Sequence, residues 1–260
     1  MPNPSSLTAS SALALASLVL SAPLVAQPPP VHYQHRADHP PGFVGGQQLL
    51  RGGPREGYFQ PVEIVAPEGT LLSPVTAGGF GEARKDTLLL GMLIGHVYRI
   101  KVGNIKFHEG EEVYPTIEVI DRLYPPPGQA TRFPIPIELT AEELALALEG
   151  HYVTRVIYIE DPKTAMPVVE TPRKQRYFEI NQSDDPLQLA DQLGRPVAIL
   201  RMGSRIPDAA GAEGAFLYNS PPVIQFEAPV PKVDRQDGLE PRLQAPPQTG
   251  RKSYLFPRVR

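Results

Sequence analysis

His96-Val97-Tyr98-Arg99-Ile100-Lys101-Val102 alternates in character. Tyr98, Ile100 and Val102 fall on one face, with Arg99 and Lys101 on the other, which is the period-two pattern of a strand half in a core and half in water. The pattern recurs downstream, where Ile117, Val119 and Leu123 oppose Thr116, Glu118 and Arg122. Residues 152–160, Tyr-Val-Thr-Arg-Val-Ile-Tyr-Ile-Glu, are apolar at both parities and rich in β-branched side chains. That composition predicts a central strand covered on both sides. Val197-Ala198-Ile199-Leu200-Arg201-Met202 predicts another inner strand, and Gln60 to Val65 a further one. Shorter signals lie at Leu71 to Val75 and at Arg176 to Ile180.

Arg132-Phe133-Pro134-Ile135-Pro136-Ile137-Glu138 places Phe133, Ile135 and Ile137 on one face, while both prolines remove donors from the same lateral side. A strand without those donors belongs at a sheet edge, where proline also blocks pairing with another chain. Two short helices are expected between strands. The first carries a capping box of Thr140 and Glu143, a staple of Leu139 and Leu144, and Gly150 as its stop. The second starts at Asp185 with Pro186 in the first helical position and stops at Gly194. About six to eight short strands with two short helices predict an all-β fold, mainly an antiparallel β-sandwich of immunoglobulin-like or transthyretin-like character. A partly open barrel is the alternative.

Outward from this domain, expected over residues 58–206, the composition changes. Residues 7–22 form an apolar, small-residue stretch too short to span a bilayer, interrupted by Pro23 and followed by Leu24-Val25-Ala26. This predicts a signal peptide over residues 1–26, cleaved near Ala26, although no lysine or arginine precedes the apolar run. Residues 27–57 are rich in Pro, Gly, Gln and His without periodicity and predict a disordered linker. Residues 207–260 have the same character and predict a disordered Pro-rich tail. Within that tail Val223-Ile224-Gln225-Phe226 could add an edge strand, and Tyr254-Leu255-Phe256 could serve as a docking peptide. No later stretch has the length of a transmembrane helix, so the mature chain is expected outside the cytoplasm, secreted or periplasmic.

Composition narrows the chemistry. The 25 basic and 28 acidic residues form no block of like charge, giving no electrostatic reason to expect nucleic acid or an anionic membrane. The absence of cysteine excludes disulfides, thiolate nucleophiles, iron–sulfur clusters and cysteine-ligated zinc. No tryptophan is present, which leaves few platforms for stacking sugars or bases.

Several constellations bear on chemistry. His32, His35 and His39 have a spacing that could engage a metal through imidazole, but no carboxylate or scaffold accompanies them. His108-Glu109-Gly110-Glu111-Glu112 lacks the second histidine and the helix of a zincin and reads as a solvated acidic turn. Gly78-Gly79-Phe80-Gly81 is a turn rather than a phosphate loop, since no helix follows it. Asp121 lies by alternation on the apolar face of its strand, where an unpaired carboxylate is costly. Its partner could be an arginine such as Arg99 or Arg155, or the turn that follows. It could instead be an imidazole, with His96 or His151 making a general acid/base pair for a small hydrolase. No cofactor motif occurs, and no cofactor is expected.

The stretch Glu111 to Pro126, then Arg132 to Ile137 and Gly194 to Gly203, resembles segments of uncharacterised exported proteins of planctomycete-type bacteria. The resemblance covers the folded part and little of the tails. It implies an extracytoplasmic, envelope-facing setting and carries no activity or site. The expected function is a non-catalytic binding or structural module with a protein or envelope component as partner.

Overall fold

The computed structural model describes residues 36–163, 165, 175–177, 179–181, 183–208 and 214–227. The expected signal peptide, residues 27–35 of the expected linker and the Tyr254-Leu255-Phe256 peptide lie outside the described residues. The strands, in chain order, are β1 (Phe59–Val65), β2 (Leu71–Thr76), β3 (Gly79–Phe80), β4 (Arg84–Lys85), β5 (Thr87–Leu93), β6 (Val97–Gly103), β7 (Thr116–Val119), β8 (Ile135–Glu138), β9 (Val153–Glu160), β10 (Gly194–Met202) and β11 (Val223–Gln225). The α-helices are α1 (Phe43–Leu50), α2 (Ala141–Leu148) and α3 (Pro186–Leu193). No helix among the described residues is long and apolar enough to cross a membrane.

The strands form two sheets. The smaller runs β11-β5-β1-β8, and the larger runs β3-β2-β6-β7-β10-β9 with β4 beside β2. Pairing is antiparallel except where β8 joins β1 in parallel. One apolar core takes Val62, Ile64 and Leu90 from the small sheet and Ile100, Ile117 and Leu200 from the large one. A second cluster of Ala37, Val44, Ile120, Leu187 and Ile199 lies on the other face of the large sheet, under α1 and α3. Strands β7 and β10 are therefore covered on both faces, and all four residues of β7 are buried.

Among the described residues three α-helices stand where the sequence predicts two, and α1 falls inside the expected linker. Residues 36–57 are not a free spacer: Ala37 and Val44 are 1% and 0% exposed. Composition hides α1 because its packing rests on glycine as close approach. A Cβ on Gly45 would lie 2.8 Å from Gly95 Cα and 3.2 Å from the Val119 carbonyl. The expected tail is corrected in the same way over residues 214–227. There β11 pairs with Leu90–Met92 of β5, as the run at Val223 suggested, and Leu217 is buried.

Strand β9 is a sheet edge rather than the central strand expected from residues 152–160. Apolar residues at both parities report what covers a strand's faces, not its lateral neighbours. Ile157 faces the main core while Val156 packs against the cluster beneath α3. No strand forms at the described residues of 176–180. Strand β5 was not expected. Its Leu-Leu-Leu-Gly-Met-Leu run has neither alternation nor β-branched residues to mark it.

The expected edge strand is β8, and its open side is closed by a side chain. Pro136 lacks a donor, and its carbonyl accepts from Gln175 Nε2 at 3.1 Å. The Glu138 N–H donates to Gln175 Oε1 at 3.3 Å, and the Gln175 N–H donates to Glu138 Oε2 at 2.6 Å. The amide of Gln175 thus occupies the place of a neighbouring strand. Both expected helices form with the expected caps: Thr140 Oγ1 accepts from Glu143 N, and Asp185 Oδ1 accepts from Leu187 N at 2.9 Å.

Candidate functional site

Asp121 follows β7, where its N–H donates to the Val197 carbonyl at 3.2 Å. One carboxylate oxygen accepts from the Arg122 N–H at 2.7 Å, and the other pairs with Arg195 Nη1. The same Nη1 donates to the Arg122 carbonyl at 3.0 Å. The Arg122 guanidinium lies 4.5 Å from the ring centroids of both Tyr58 and Tyr124. Asp121 therefore has the arginine partner its position demands, but the arginine is Arg195, not Arg99 or Arg155.

His96 is exposed on the turn between β5 and β6, with Nδ1 3.2 Å from the Ile94 carbonyl. His151 is exposed between α2 and β9, with Nε2 3.9 Å from a Glu149 carboxylate oxygen. Each imidazole has its own neighbour, and the hydrogen bonds of the Asp121 carboxylate go to Arg122 and Arg195. General acid/base work needs donor and acceptor within hydrogen-bond reach, and these three residues are not brought together in that way.

Of the histidine triplet, His32 and His35 lie outside the described residues. His39 stacks on Phe43 with ring centroids 4.4 Å apart. His108 Nδ1 lies 2.8 Å from Glu111 Oε2 in an exposed turn. No group of three or more His, Cys, Asp or Glu able to hold a metal occurs among the described residues.

A cleft of about 640 Å³ opens beside the ends of β1 and β8 and includes Glu68, Asp86, Glu138 and Thr140 in its wall. Its polar groups are largely engaged within the fold. Asp86 Oδ1 accepts from the Gly69 N–H at 2.5 Å, Glu138 is bound by Gln175, and Thr140 caps α2.

Comparison with known protein families, curated proteins and solved structures finds no match.

Two buried polar centres escaped the sequence because their strands read as half-solvated. Glu118, on the expected water face, is 0% exposed and pairs with Arg201 at 2.8 Å, while its Oε1 accepts from the Gly45 N–H at 2.8 Å. Arg201 Nε donates to the Ala37 carbonyl at 3.3 Å. Arg99, also placed on the water face of β6, is 2% exposed. Residues 214–218 cover it: its guanidinium lies 4.1 Å from the Phe216 ring centroid and 5.2 Å from that of Tyr218, and it donates to the Tyr114 carbonyl. Burial pulls the Arg99 pKa below its ordinary value, and the Tyr218 hydroxyl offsets part of that shift.

Beside this centre Lys101 holds Glu112 at 2.8 Å and, with the Tyr114 hydroxyl, lowers the Glu112 pKa. Burial, then Glu112 itself, raises the Tyr114 phenol. Tyr114 meets the Phe216 ring edge-on at 5.4 Å, so Arg99 and Tyr114 together tie residues 214–218 to the large sheet.

Proposed function

We propose that the chain is an exported binding or structural module of the cell envelope or periplasm, its two sheets the layers of a β-sandwich, with a protein or envelope component as partner. One observation carries this reading. Three carboxylates withdrawn from water are each held by an arginine, Asp121 by Arg195, Glu118 by Arg201 and Glu143 by Arg155 at 3.1 Å, and a fourth, Asp185, is taken up by backbone N–H groups. Such pairs fix strands and helices to one another, and they take up the Asp121 carboxylate that the imidazole of His96 or His151 would need. The apolar run before Pro23 and the resemblance to exported proteins support the setting.

The competing reading is a small hydrolase in which Asp121 orients His96 or His151. Asp121→Asn separates the two. A structural Asp121 gives a lower melting temperature with no change in hydrolysis of ester, phosphoester, glycoside or peptide substrates. An unchanged melting temperature with loss of a measurable turnover overturns the proposal. The setting is tested by fractionating cells that express the full chain. A mature form beginning at Gln27 outside the cytoplasm supports it, and an uncleaved cytoplasmic chain rejects it.

A further inference from the structure

Phe107 combines two features that folding alone disfavours. It occupies the turn Ile105-Lys106-Phe107-His108, closed by the His108 N–H donating to the Ile105 carbonyl at 3.0 Å. Its φ is +69°, and among the four turn residues the left-handed conformation is confined to it. That is the pattern of a type II turn, whose third position favours glycine or asparagine; a bulky residue there is an outlier. The phenyl ring is also 80% exposed. Neither backbone comfort nor burial accounts for phenylalanine at this position.

The turn is also braced. Asn104 Nδ2 donates to the Gly69 carbonyl at 2.7 Å, Ile105 is buried, and His108 is held to Glu111. Behind it Val102 and Val113 exchange backbone hydrogen bonds at 2.8 and 2.9 Å. Lys106 Nζ lies 4.9 Å from the Phe107 ring centroid, and Glu109 and Glu111 are exposed beside it. An aromatic side chain presented on a rigid turn loses little freedom on association, which is how anchor residues of protein interfaces gain their affinity.

We propose that Phe107 is the anchor of a protein–protein contact, seated in an apolar pocket of a partner whose rim carries lysine or arginine. The basic rim follows from Glu109 and Glu111, two exposed carboxylates against the single ammonium of Lys106, which lies over the ring itself. The same carboxylates disfavour insertion of the turn into an anionic lipid surface. The proposal rests on the binding-module reading and names the surface that reading lacks.

The test places the photocrosslinking residue p-benzoylphenylalanine at position 107 of the full chain in cells that produce it, with the exposed Tyr124 position as control. The expected result is a protein adduct at 107, absent at 124, and lost when Glu109→Lys and Glu111→Lys are introduced together. An adduct to lipid, to a second copy of this chain, equally at both positions, or none at all overturns the proposal. A partner-free measurement accompanies it: Phe107→Asn relieves the backbone and should raise the melting temperature by about 2–4 °C. A fall in melting temperature would mean that the ring is held by the fold itself, and would equally overturn it. Fractionation of the same cells keeps the two readings apart. Loss of the adduct in an exported chain sinks the anchor alone, whereas cytoplasmic retention sinks the envelope setting whatever position 107 does.

Discussion

Glu118 and Arg201 meet at 2.8 Å on one face of neighbouring strands, with side chains 0% and 2% exposed. Glu118 is registered opposite Ile199, so Arg201 is its diagonal neighbour across the β7–β10 ladder, a spacing that long side chains bridge. Their remaining hydrogen bonds go to Gly45 and Ala37, so the pair holds the N-terminal segment to the sheet.

Removing one charge of a buried pair strands the other. Glu118→Gln should therefore lower stability by about 3–5 kcal/mol, whereas adding Arg201→Met to it should restore part of the loss. Urea unfolding of the parent and the two variants measures both terms. A cost below ~1 kcal/mol for the single change would show that the pair contributes little.

A chain starting at residue 58, where the sequence places the domain boundary, should be markedly less stable than one starting at residue 36. It uncovers Ile120, Leu187 and Ile199 and opens the Glu118–Arg201 pair to water. The expected signs are a lower unfolding midpoint and binding of a hydrophobic dye. Equal midpoints would mean that α1 is ornamental to stability.

Tyr98 gives a pH signature. Its hydroxyl accepts from the Leu93 N–H and donates to the Pro222 carbonyl, each at 2.8 Å, and burial pushes its pKa up to about 12 from 10.0. Between those values the unfolded chain has released the proton that the folded chain still holds, so stability falls as pH rises from 10 to 12. Below pH 10 the contribution is fully present. The tyrosine's share of the fall is about 2–3 kcal/mol, and Tyr98→Phe should lose that share. Denaturant midpoints at pH 9 to 12 decide it, with parallel profiles for the two proteins counting against the assignment.

Gln175→Ala should leave the unfolding free energy within about 1 kcal/mol of the parent, since its loss touches an exposed strand edge. It should nonetheless promote self-association by baring the Glu138 N–H and the Pro136 carbonyl. Light scattering against concentration reads this. Unchanged dispersity would show that the prolines suffice to protect β8.

Local chemistry was legible in the sequence where it is self-contained. The caps of α2 and α3 involve residues within three positions of each other, and the Pro134/Pro136 pattern of β8 concerns its own backbone. Covering was legible in β10, whose apolar residues at both parities predict an inner strand and which is buried from Pro196 to Met202. Glu118 and Arg99 were misplaced because an acid or a base in an alternating strand looks solvated until something distant covers it. Those covers, residues 36–50 and 214–218, carry too much glycine or too little periodicity to announce themselves. Asp121 shows the same limit: its need for a partner can be read from alternation, but the choice of Arg195 depends on how β10 lies beside β7.

The latch over the large sheet has a consequence for the order of events during synthesis. Ala37 is bound by Asp185, 148 positions later, and by Arg201, 164 positions later. A chain that leaves the ribosome N-terminus first therefore exposes this segment long before either anchor exists, and Glu118 waits without its counter-charge in the meantime. Closure of the N-terminus belongs to the end of folding, and until then this face of the nascent sheet is open to whatever chaperone or neighbour reaches it.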